Sequence, residues 1–401
     1  MQSKTILDAM AHHQRGETAQ AESIYVELLR RKPDDADALH YLGVLRMSQG
    51  RRVDAVELVK QALDVAPGNA NAWNSLGNML VFCEEVKAAE VAYRKATAIQ
   101  PEMTEAWFNL ANLYRKTHQP DEAVRCYQRV IALKPKFAGA YENIALLLDK
   151  MGRHAERAEV LRHWTEAEPG NPVPKHMLAA VSGGPVPERA SDQFVSQHFD
   201  RFADHFDESL ERLEYAAPTL IRDALRATIP PNDRGSDVLD IGCGTGLMGP
   251  LLRPGARRLI GVDLSARMLD KARARGVYDE LHEAELVAYL RAHPAAFDVI
   301  TCADTFVYFG ALEEAFEASA AALRPGGILA FTVESEPEGA AGNYRLNRHG
   351  RYSHLADYVR RALAGAKMQL LSFQDVVLRK EAGGDVRGHL VVAKMGAAPI
   401  S

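Results

Sequence analysis

Small and large apolar residues recur through the first half of the chain at a constant interval of 34 residues. Prolines mark the interval at Pro33, Pro67, Pro101, Pro135 and Pro169. Four further positions keep their character from repeat to repeat: small Ala21, Ala55, Ala89 and Ala123, large Leu39, Trp73, Trp107 and Tyr141, aliphatic Leu42, Leu76, Leu110 and Ile144, and small Gly43, Gly77, Ala111 and Ala145. This periodicity predicts stacked helix pairs, because small residues let helices approach closely and large ones fill the gaps between repeats.

The period and these positions resemble those of tetratricopeptide repeats. The end repeats depart from the pattern, and Arg157 stands where the earlier repeats have alanine. We expect this at the ends of a stack, where the outer face must be more polar. Residues 171–182 predict a final capping helix. The sequence therefore predicts an all-α solenoid of about five repeats plus this cap over residues 1–182.

Asparagines follow one stripe of the first helices of the repeats, at Asn78, Asn109, Asn112 and Asn143. The array resembles the tetratricopeptide domain of O-linked N-acetylglucosamine transferase, and the resemblance implies an inner face that grips the backbone of an extended peptide. A carboxamide suits this task because it both donates and accepts hydrogen bonds. Tyr41 and Ser75 interrupt the series, so asparagines that merely tolerate a solvated face remain the alternative.

Glycine, proline and charged residues are concentrated after the repeats, and they predict a linker at residues 183–194. Phe199, Phe202 and Phe206 follow at helical spacing, which is also typical of a packed core helix. The stretch FDRFADHFD, residues 199–207, resembles a segment of many small-molecule methyltransferases whose aromatic residues close over the cofactor. That resemblance implies a helical lid, with Phe199 against the cofactor.

From Ser236 onward, short β-branched and aliphatic runs alternate with helical stretches. The predicted strands are 236–241, 258–262, 281–284, 297–302, 327–334, 368–373 and 388–394. This alternation predicts a doubly wound parallel sheet. Ligands of such sheets bind at the carboxyl ends of the strands.

The first of these strands ends in VLDIGCGTGLMG, which resembles motif I of class I S-adenosylmethionine-dependent methyltransferases at Asp240, Gly242, Gly244 and Gly246. Glycines suit a turn that passes directly beneath a cofactor, because a Cβ would collide with it. Dinucleotide-binding folds share such turns, so this motif alone does not separate the two classes. The later LRPGG turn, followed by a two-strand tail, favours the methyltransferase.

The resemblance implies a role for each matching residue. Asp240 would accept from the ammonium group of the cofactor and Asp263 from both ribose hydroxyls. Met268 would pack on the adenine ring, and Glu285, in place of the usual aspartate, would accept from the adenine amino group. The implied domain covers residues 195–401, with a seven-stranded Rossmann-like sheet whose last strand is antiparallel. The implied S-adenosylmethionine site comprises Asp240, Gly242, Cys243, Gly244, Gly246, Asp263, Leu264, Met268, Glu285, Leu286, Asp304 and Phe199.

Acceptor and catalytic candidates follow the fourth and fifth strands. Asp304 and Tyr308 come directly after the fourth strand, beside the expected methyl group. His354, just inside a helix predicted to start near Ser353, is the candidate general base, with a histidine that packs or caps locally as the alternative.

Basic residues are concentrated in the segment 343–360, which in related folds lines the acceptor pocket. Arg345, Arg351 and Tyr352 are the substrate-binding candidates there. Arginines favour an acidic or phosphate-bearing acceptor, and a solvated basic loop is the alternative.

Composition narrows the class of protein. The chain has 401 residues, 47% hydrophobic and 25% charged, with a net charge of -5, which is typical of a multidomain globular protein and disfavours a nucleic-acid partner. No apolar run reaches 18 residues, so no membrane span is expected. The four cysteines are widely spaced, which predicts no metal site and free thiols in a cytoplasmic protein.

The sequence as a whole predicts a methyltransferase that moves a methyl group to an O, N or C acceptor. The repeats would recruit a peptide, protein or carrier-bound substrate. Two alternatives stay open. One is an adaptor whose methyltransferase fold is catalytically silent, and the other is a small-molecule enzyme whose repeats form a homodimer.

Overall fold

The computed structural model describes residues 5–229, 235–340, 342–381 and 383–396. The chain divides into two compact units, Met1–Glu168 and Pro169–Ser401. Within the described residues, the first unit is built from ten helices: α1 (Ile6–Gln14), α2 (Thr18–Arg31), α3 (Ala36–Ser48), α4 (Arg52–Val65), α5 (Ala70–Phe82), α6 (Val86–Ile99), α7 (Thr104–Lys116), α8 (Pro120–Leu133), α9 (Ala138–Lys150) and α10 (His154–Ala167).

Repeated local signals form these helix pairs. The carboxylate of Asp35 caps α3 by accepting from the amide of Ala38, and one period later Asn69 caps α5 in the same way. The recurring alanines are fully buried where paired helices meet. A Cβ on Gly77 would lie 2.5 Å from the ring of Tyr93, so the small residue at this position makes room for a large one in the following helix.

The last repeat accommodates its arginine differently from our expectation. Arg157 is buried in α10, with 3% of its surface exposed, rather than on a polar outer face. Its guanidinium donates to the carboxylate of Asp149 at 2.7 Å, so an ion pair replaces the close helix approach that alanine permits elsewhere. Trp164 fills the neighbouring space and stacks on Tyr141 with 5.6 Å between ring centroids.

The second unit combines helices and strands. Its elements are α11 (Pro172–Ala179), α12 (Asp192–Phe202), α13 (Phe206–Arg212), α14 (Ala217–Thr228), β1 (Ser236–Ile241), α15 (Gly249–Leu252), β2 (Ala256–Asp263), α16 (Ala266–Arg275), β3 (Glu280–Glu283), α17 (Leu286–Ala292), β4 (Phe297–Cys302), α18 (Glu313–Ala322), β5 (Leu323–Ser335), β6 (Tyr344–Leu346), β7 (Tyr352–His354), α19 (Ala356–Gly365), β8 (Met368–Glu381) and β9 (Gly384–Met395).

One sheet organises this unit. Strands β3, β2, β1, β4 and β5 are adjacent in that order and parallel, and β9 follows antiparallel to both β5 and β8. Strand β1 is buried along its whole length, as expected of a parallel strand covered on both faces. The predicted Rossmann-like sheet of seven strands with an antiparallel last strand is confirmed.

Two short strands add to the predicted seven. Strand β7 pairs with the end of β5, where Glu334 lies opposite Ser353, and β6 pairs antiparallel with β7. The prediction of a helix starting near Ser353 was wrong. Residues 352–354 are all buried and satisfy their backbone groups in the sheet, so the helix begins only at Ala356.

The predicted linker is a packed part of the second unit. Arg189 forms a β-bridge with Phe309, and the amide of Ala190 donates to the carbonyl of Tyr308 at 2.8 Å. The predicted capping helix is α11, and it too belongs to the second unit. The structural boundary, between Glu168 and Pro169, therefore lies upstream of the predicted one. Every helix in the described parts of the chain is too short or too polar to cross a lipid bilayer.

We predict that Trp164→Ala lowers the free energy of unfolding of the repeat unit by about 3–5 kcal/mol, because the fully buried indole leaves a cavity. Urea unfolding of the full chain, followed by circular dichroism, measures the change. Glu166→Ala, at an exposed position of the same helix, is the control and should change little. Equal effects of the two substitutions would contradict the packing described here.

Candidate functional site

The backbone turn after β1 is shaped for a bound group. Gly242, Gly244 and Gly246 have φ values of +66°, +54° and +85°, a region that favours glycine. A Cβ on Gly242 would lie 1.9 Å from the hydroxyl of Thr305, so a side chain cannot fit there. The amide of Gly242 donates to the carbonyl of Val262 at 2.8 Å, which ties the turn to the end of β2.

Asp263 completes this tie from the end of β2. One carboxylate oxygen accepts from the amide of Gly244 and the other from the amide of Ser265, both at 2.8 Å. Burial raises the pKa of Asp263, and these backbone donors act in the opposite direction. Each oxygen keeps a second lone pair for a ligand hydroxyl. Asp263 therefore both holds the glycine turn and faces the site.

Asp240, at the carboxyl end of β1, is 1% exposed. Its carboxylate accepts from the hydroxyl of Tyr278 at 2.7 Å and from that of Thr301 at 3.0 Å. Burial raises the pKa of Asp240 to about 6, against the effect of these two donors. The group is therefore mainly ionised at neutral pH and becomes protonated in mildly acidic solution.

A cavity of about 380 Å³ opens at the carboxyl ends of β1, β2 and β4. Its wall includes most of the predicted site residues: Phe199, Asp240, Gly242, Cys243, Gly244, Asp263, Leu264, Glu285, Leu286, Asp304, Tyr308 and Arg351. Carboxylates, a side-chain-free turn and aliphatic side chains here suit a group with a cation, sugar hydroxyls and a flat ring. The residues present therefore fit the expected S-adenosylmethionine.

Two predicted cofactor residues lie elsewhere. Gly246 belongs to the turn but not to the cavity wall. Met268 is fully buried in α16, where its amide donates to the hydroxyl of the helix-capping Ser265, so it does not reach the cavity as an adenine wall. Leu264 and Leu286 are the aliphatic side chains that line this part of the cavity instead.

Glu285 is already engaged by protein donors. It caps α17 by accepting from the amide of Ala288 at 2.8 Å, and its other oxygen accepts from Arg189 at 2.7 Å. The sequence predicted that Glu285 lies at the cofactor site, but not that it caps α17 or pairs with Arg189. Contact between Glu285 and an adenine amino group stays a prediction.

A buried charge network forms the floor beyond the glycine turn. Asp304, in a left-handed conformation with φ of +53°, accepts from Thr332 at 2.7 Å and from Arg379 at 3.0 Å. Arg379 also donates to Glu334, and Arg351 donates to the same carboxylate at 2.8 Å. Burial raises the pKa of Asp304, and the charge of Arg379 opposes this shift. Arg379 was not predicted from the sequence, because it lies on β8, far along the chain from the sequence motifs.

This network changes the expected chemistry of the acceptor site. All three guanidinium groups of the cavity wall, those of Arg189, Arg351 and Arg379, are paired with protein carboxylates. An acidic acceptor would have to displace a carboxylate that is already hydrogen-bonded. The arginines therefore do not form the open cationic patch that the sequence suggested.

Two predicted substrate-binding residues and the predicted general base lie outside the cavity wall. Arg345 forms an ion pair with Glu336 at 2.8 Å. Tyr352 is fully buried and donates to the carbonyl of Pro187. His354 is also fully buried, and its Nε2–H donates to the carbonyl of Phe309 at 2.8 Å. Burial lowers the pKa of His354 to about 4. The imidazole is hydrogen-bonded within the fold and does not line the cavity, so the prediction that His354 is the general base was wrong.

The predicted lid consists of α12 and α13. Phe199, Phe202 and Phe206 line the cavity, and Phe199 contacts Tyr308 edge-to-face at 5.5 Å. An acidic stripe on the lid, Asp200, Asp204 and Asp207, meets a basic stripe on α16, Arg267, Lys271 and Arg275. The three basic residues recur every fourth residue of α16 and so share one face of that helix, whereas the three aspartates come from α12, the following turn and α13.

Individual contacts of these stripes reach the cofactor turn. Asp200 accepts from the hydroxyl of Ser265 at 2.6 Å, and Asp207 accepts from Thr245 at 2.5 Å. Lys271 and Arg267 lower the pKa of the exposed Asp204. The aspartates of the FDRFADHFD segment thus hold the lid, while its phenylalanines face the cavity. This division was not predicted.

The asparagines of the repeat unit make contacts within that unit. Asn78 and Asn112 each accept from a tyrosine hydroxyl of the following helix, Tyr93 at 2.7 Å and Tyr127 at 2.6 Å. Asn109 donates to the carboxamide of Asn74 at 3.0 Å, which links neighbouring repeats. Asn143 donates to the carbonyl of Gly139. Asn78 and Asn112 therefore have a structural role that the sequence did not reveal.

Comparison with known proteins agrees with this division into two units. A model of a methyltransferase domain matches residues 211–370. Three models of the tetratricopeptide repeat match residues 12–79, 70–103 and 104–137.

Relatives match part of the chain. Methyltransferase-like protein 27 of Homo sapiens is 39% identical over 115 residues, which cover 26% of this chain and 47% of that protein. Malonyl-[acyl-carrier protein] O-methyltransferase of Enterobacter lignolyticus is 34% identical over 36% of this chain and 57% of that protein. Ubiquinone biosynthesis O-methyltransferase of an Azoarcus species is 32% identical over 103 residues, which cover 25% of this chain and 44% of that protein. The chain spans about half the length of these relatives. With the cavity, these matches assign S-adenosylmethionine as the cofactor of the second unit.

We predict that Asp204→Asn weakens binding of S-adenosylhomocysteine by roughly two- to five-fold at low salt, because the lid loses exposed ion pairs to α16. Salt screens these pairs, so wild type should approach the variant as ionic strength rises. Calorimetric titration at two salt concentrations measures both effects. Glu208→Gln, an exposed substitution on the same lid, is the control. A wild-type affinity that does not respond to salt would contradict electrostatic closure.

Proposed function

We propose that this chain, in which tetratricopeptide repeats precede a methyltransferase domain, transfers the methyl group of S-adenosylmethionine to a hydroxyl acceptor. The observation that carries this proposal is the cavity at the strand ends, where the glycine turn, Asp240 and Asp263 meet beneath an aromatic lid. A silent adaptor would be free to lose such residues. Here the turn, both carboxylates and the lid contacts are intact.

When bound, S-adenosylmethionine supplies a methyl group already activated by a positively charged sulfur. The protein must therefore orient the acceptor and exclude water rather than create a leaving group. Asp240 would hold the ammonium end of the cofactor, and Asp263 would hold the ribose hydroxyls. Phe199 and Tyr308 close the cavity at the reacting end, and the charge network of Asp304 and Arg379 gives this end a rigid floor.

Two observations support a hydroxyl acceptor. The relatives include a protein named as ubiquinone biosynthesis O-methyltransferase. The relative named as malonyl-[acyl-carrier protein] O-methyltransferase supports an oxygen acceptor but not a hydroxyl, because a malonyl group offers a carboxylate oxygen. In addition, Arg351 and Arg379 are already paired, which makes capture of a free carboxylate by them unfavourable. The mainly apolar wall suits an acceptor with an apolar or aromatic body.

We further propose that the repeats recruit the protein or peptide that presents this acceptor. Solenoids of stacked helix pairs offer extended surfaces for such partners. The Asn74–Asn109 pair, which links two repeats, places two carboxamides on successive first helices, 35 residues apart and so one residue out of step with the 34-residue period. The partly buried state of both side chains leaves part of each group accessible to a bound backbone.

The first test is calorimetric titration of the full chain with S-adenosylhomocysteine. We predict that wild type binds and that Asp263→Ala binds roughly 30- to 1,000-fold more weakly, because buried hydroxyls and the amide of Gly244 lose their acceptor, which costs on the order of 2–4 kcal/mol. Asp270→Ala, an exposed aspartate on α16, is the control and should bind as wild type does. A wild-type chain that binds neither S-adenosylmethionine nor S-adenosylhomocysteine would refute the proposal.

The pH dependence of this binding tests Asp240 separately. Its pKa is raised to about 6, so its ionised form, which attracts the cofactor ammonium, is lost as pH falls through 6. We predict that affinity for S-adenosylhomocysteine declines by about tenfold between pH 7 and pH 5. In Asp240→Asn, affinity should be lower at pH 7 and this component of the decline should disappear. A wild-type affinity that stays constant over this range would exclude the role given to Asp240.

A further inference from the structure

Each of the five acidic residues in the described cavity wall already accepts a hydrogen bond from a protein donor. Asp192 pairs with Arg189, and the other carboxylates, those of Asp240, Asp263, Glu285 and Asp304, accept from hydroxyl, amide or guanidinium donors. The lining tyrosines Tyr215 and Tyr308 are no substitute as bases, because burial raises the pKa of each, that of Tyr308 to about 12. A proton acceptor for a substrate hydroxyl must therefore be sought elsewhere in the wall.

His198 differs from these groups. Among the described residues it is the one imidazole in the cavity wall, and it makes no hydrogen bond or ion pair with them. Its ring is held by Phe194, stacked at 5.8 Å, and by Phe202 at 4.9 Å. Both ring nitrogens remain accessible, in contrast to the sealed Nδ1 of His354. Aromatic packing thus orients the ring while its nitrogens stay available.

We propose that His198, carried on the lid helix α12, takes the proton of the acceptor hydroxyl during methyl transfer. This inference rests on the proposed function. The hydroxyl oxygen forms the new bond to the methyl carbon while the carbon–sulfur bond breaks, and the electron pair of that bond stays on sulfur. The hydroxyl proton goes to a ring nitrogen of His198, which later releases it to water. Because the positive charge lost by sulfur is regained on the imidazole, the net charge of the cavity is unchanged.

The surroundings of His198 define the acceptor it can serve. Burial lowers its pKa to about 4, and the charges of Arg351, Arg201 and His176 add to this effect. The imidazole is therefore unprotonated at neutral pH, as a base must be, but it is a weak base. Proton transfer from an aliphatic alcohol would be strongly uphill, whereas a phenol or enol has a far more acidic proton. We infer that the acceptor is an acidic hydroxyl, and the aromatic wall of Phe199 and Phe202 suits a flat ring.

The lid position links this chemistry to closure. His198 lies two residues before Asp200, which bonds Ser265 and Arg267 of the cofactor side of the domain. The same contacts that close the lid therefore bring the imidazole over the cavity. A base on a closing element acts only once water has been excluded.

The first test measures the protonation of His198 directly and does not require methyl transfer to occur. The full chain, labelled with ¹³C-histidine, is titrated by NMR with and without S-adenosylhomocysteine, and His198→Gln identifies the resonance. We expect a midpoint below about 6 and a shift when catechol is added to the complex. The exposed His205 of the same lid is the internal control, and its resonance should not respond to catechol. A His198 midpoint above about 7.5, or no response to catechol, would overturn the proposal.

The second test follows methyl transfer to phenol, catechol and 4-hydroxybenzoate. At pH 7, His198→Gln should be slower than wild type by roughly 10²–10⁴-fold while retaining affinity for S-adenosylhomocysteine. Its rate should recover as pH rises toward the ionisation of the phenol itself, and His205→Gln should match wild type throughout. An undiminished rate in His198→Gln, a loss that persists at every pH, or wild type that binds cofactor but methylates none of the three phenols would each overturn the inference. Failure of wild type to bind cofactor at all would instead remove the proposed function.

Discussion

The second unit depends on one steric constraint, the close approach of the turn after β1 to Thr305. At Gly242 there is no room for even a Cβ, so the backbone itself forms the base of the cavity. Hydrogen bonds from Gly242 to Val262 and from Gly244 to Asp263 then fasten this turn to the neighbouring strand. Because parallel strands β1, β2 and β4 end together, the tightness of this turn sets the shape of the cavity that all later chemistry uses.

Closure of the cavity relies on a different force. The lid offers phenylalanines to the cavity and aspartates to α16, so apolar contact and ion pairing act on opposite faces of the same short segment. Exposed ion pairs are weak and reversible. A lid held in this way can release product, whereas one held by a large apolar interface would be slow to open. Asp207 also accepts a hydrogen bond from Thr245 of the turn, which joins the lid directly to the glycine turn.

Charge balance determines what the reacting end of the cavity can do. Arg379 is buried and shared among Asp304, Glu334 and Glu381, and Arg351 is shared between the two glutamates. Taking one partner away would leave a buried charge uncompensated, so the network is a rigid floor rather than a binding device. The uncommitted group lies above it on the lid. This arrangement places the paired charges of the floor on the sheet and the proposed proton acceptor on the lid helix.

Sequence by itself determined the solenoid, the parallel sheet and the glycine turn, because each is encoded locally. A 34-residue period, strand-length apolar runs and D-x-G-x-G-x-G need no distant partner to be recognised. Only the tertiary structure decided which side chains share the cavity. The order of the strands brings Arg379 on β8 next to Asp304, which follows β4. Met268 and His354 do not line the cavity, because they are buried in the packing of helix α16 and strand β7. Contacts between residues far apart in the chain depend on the register of the sheet and on burial. Neither can be predicted from a local sequence pattern.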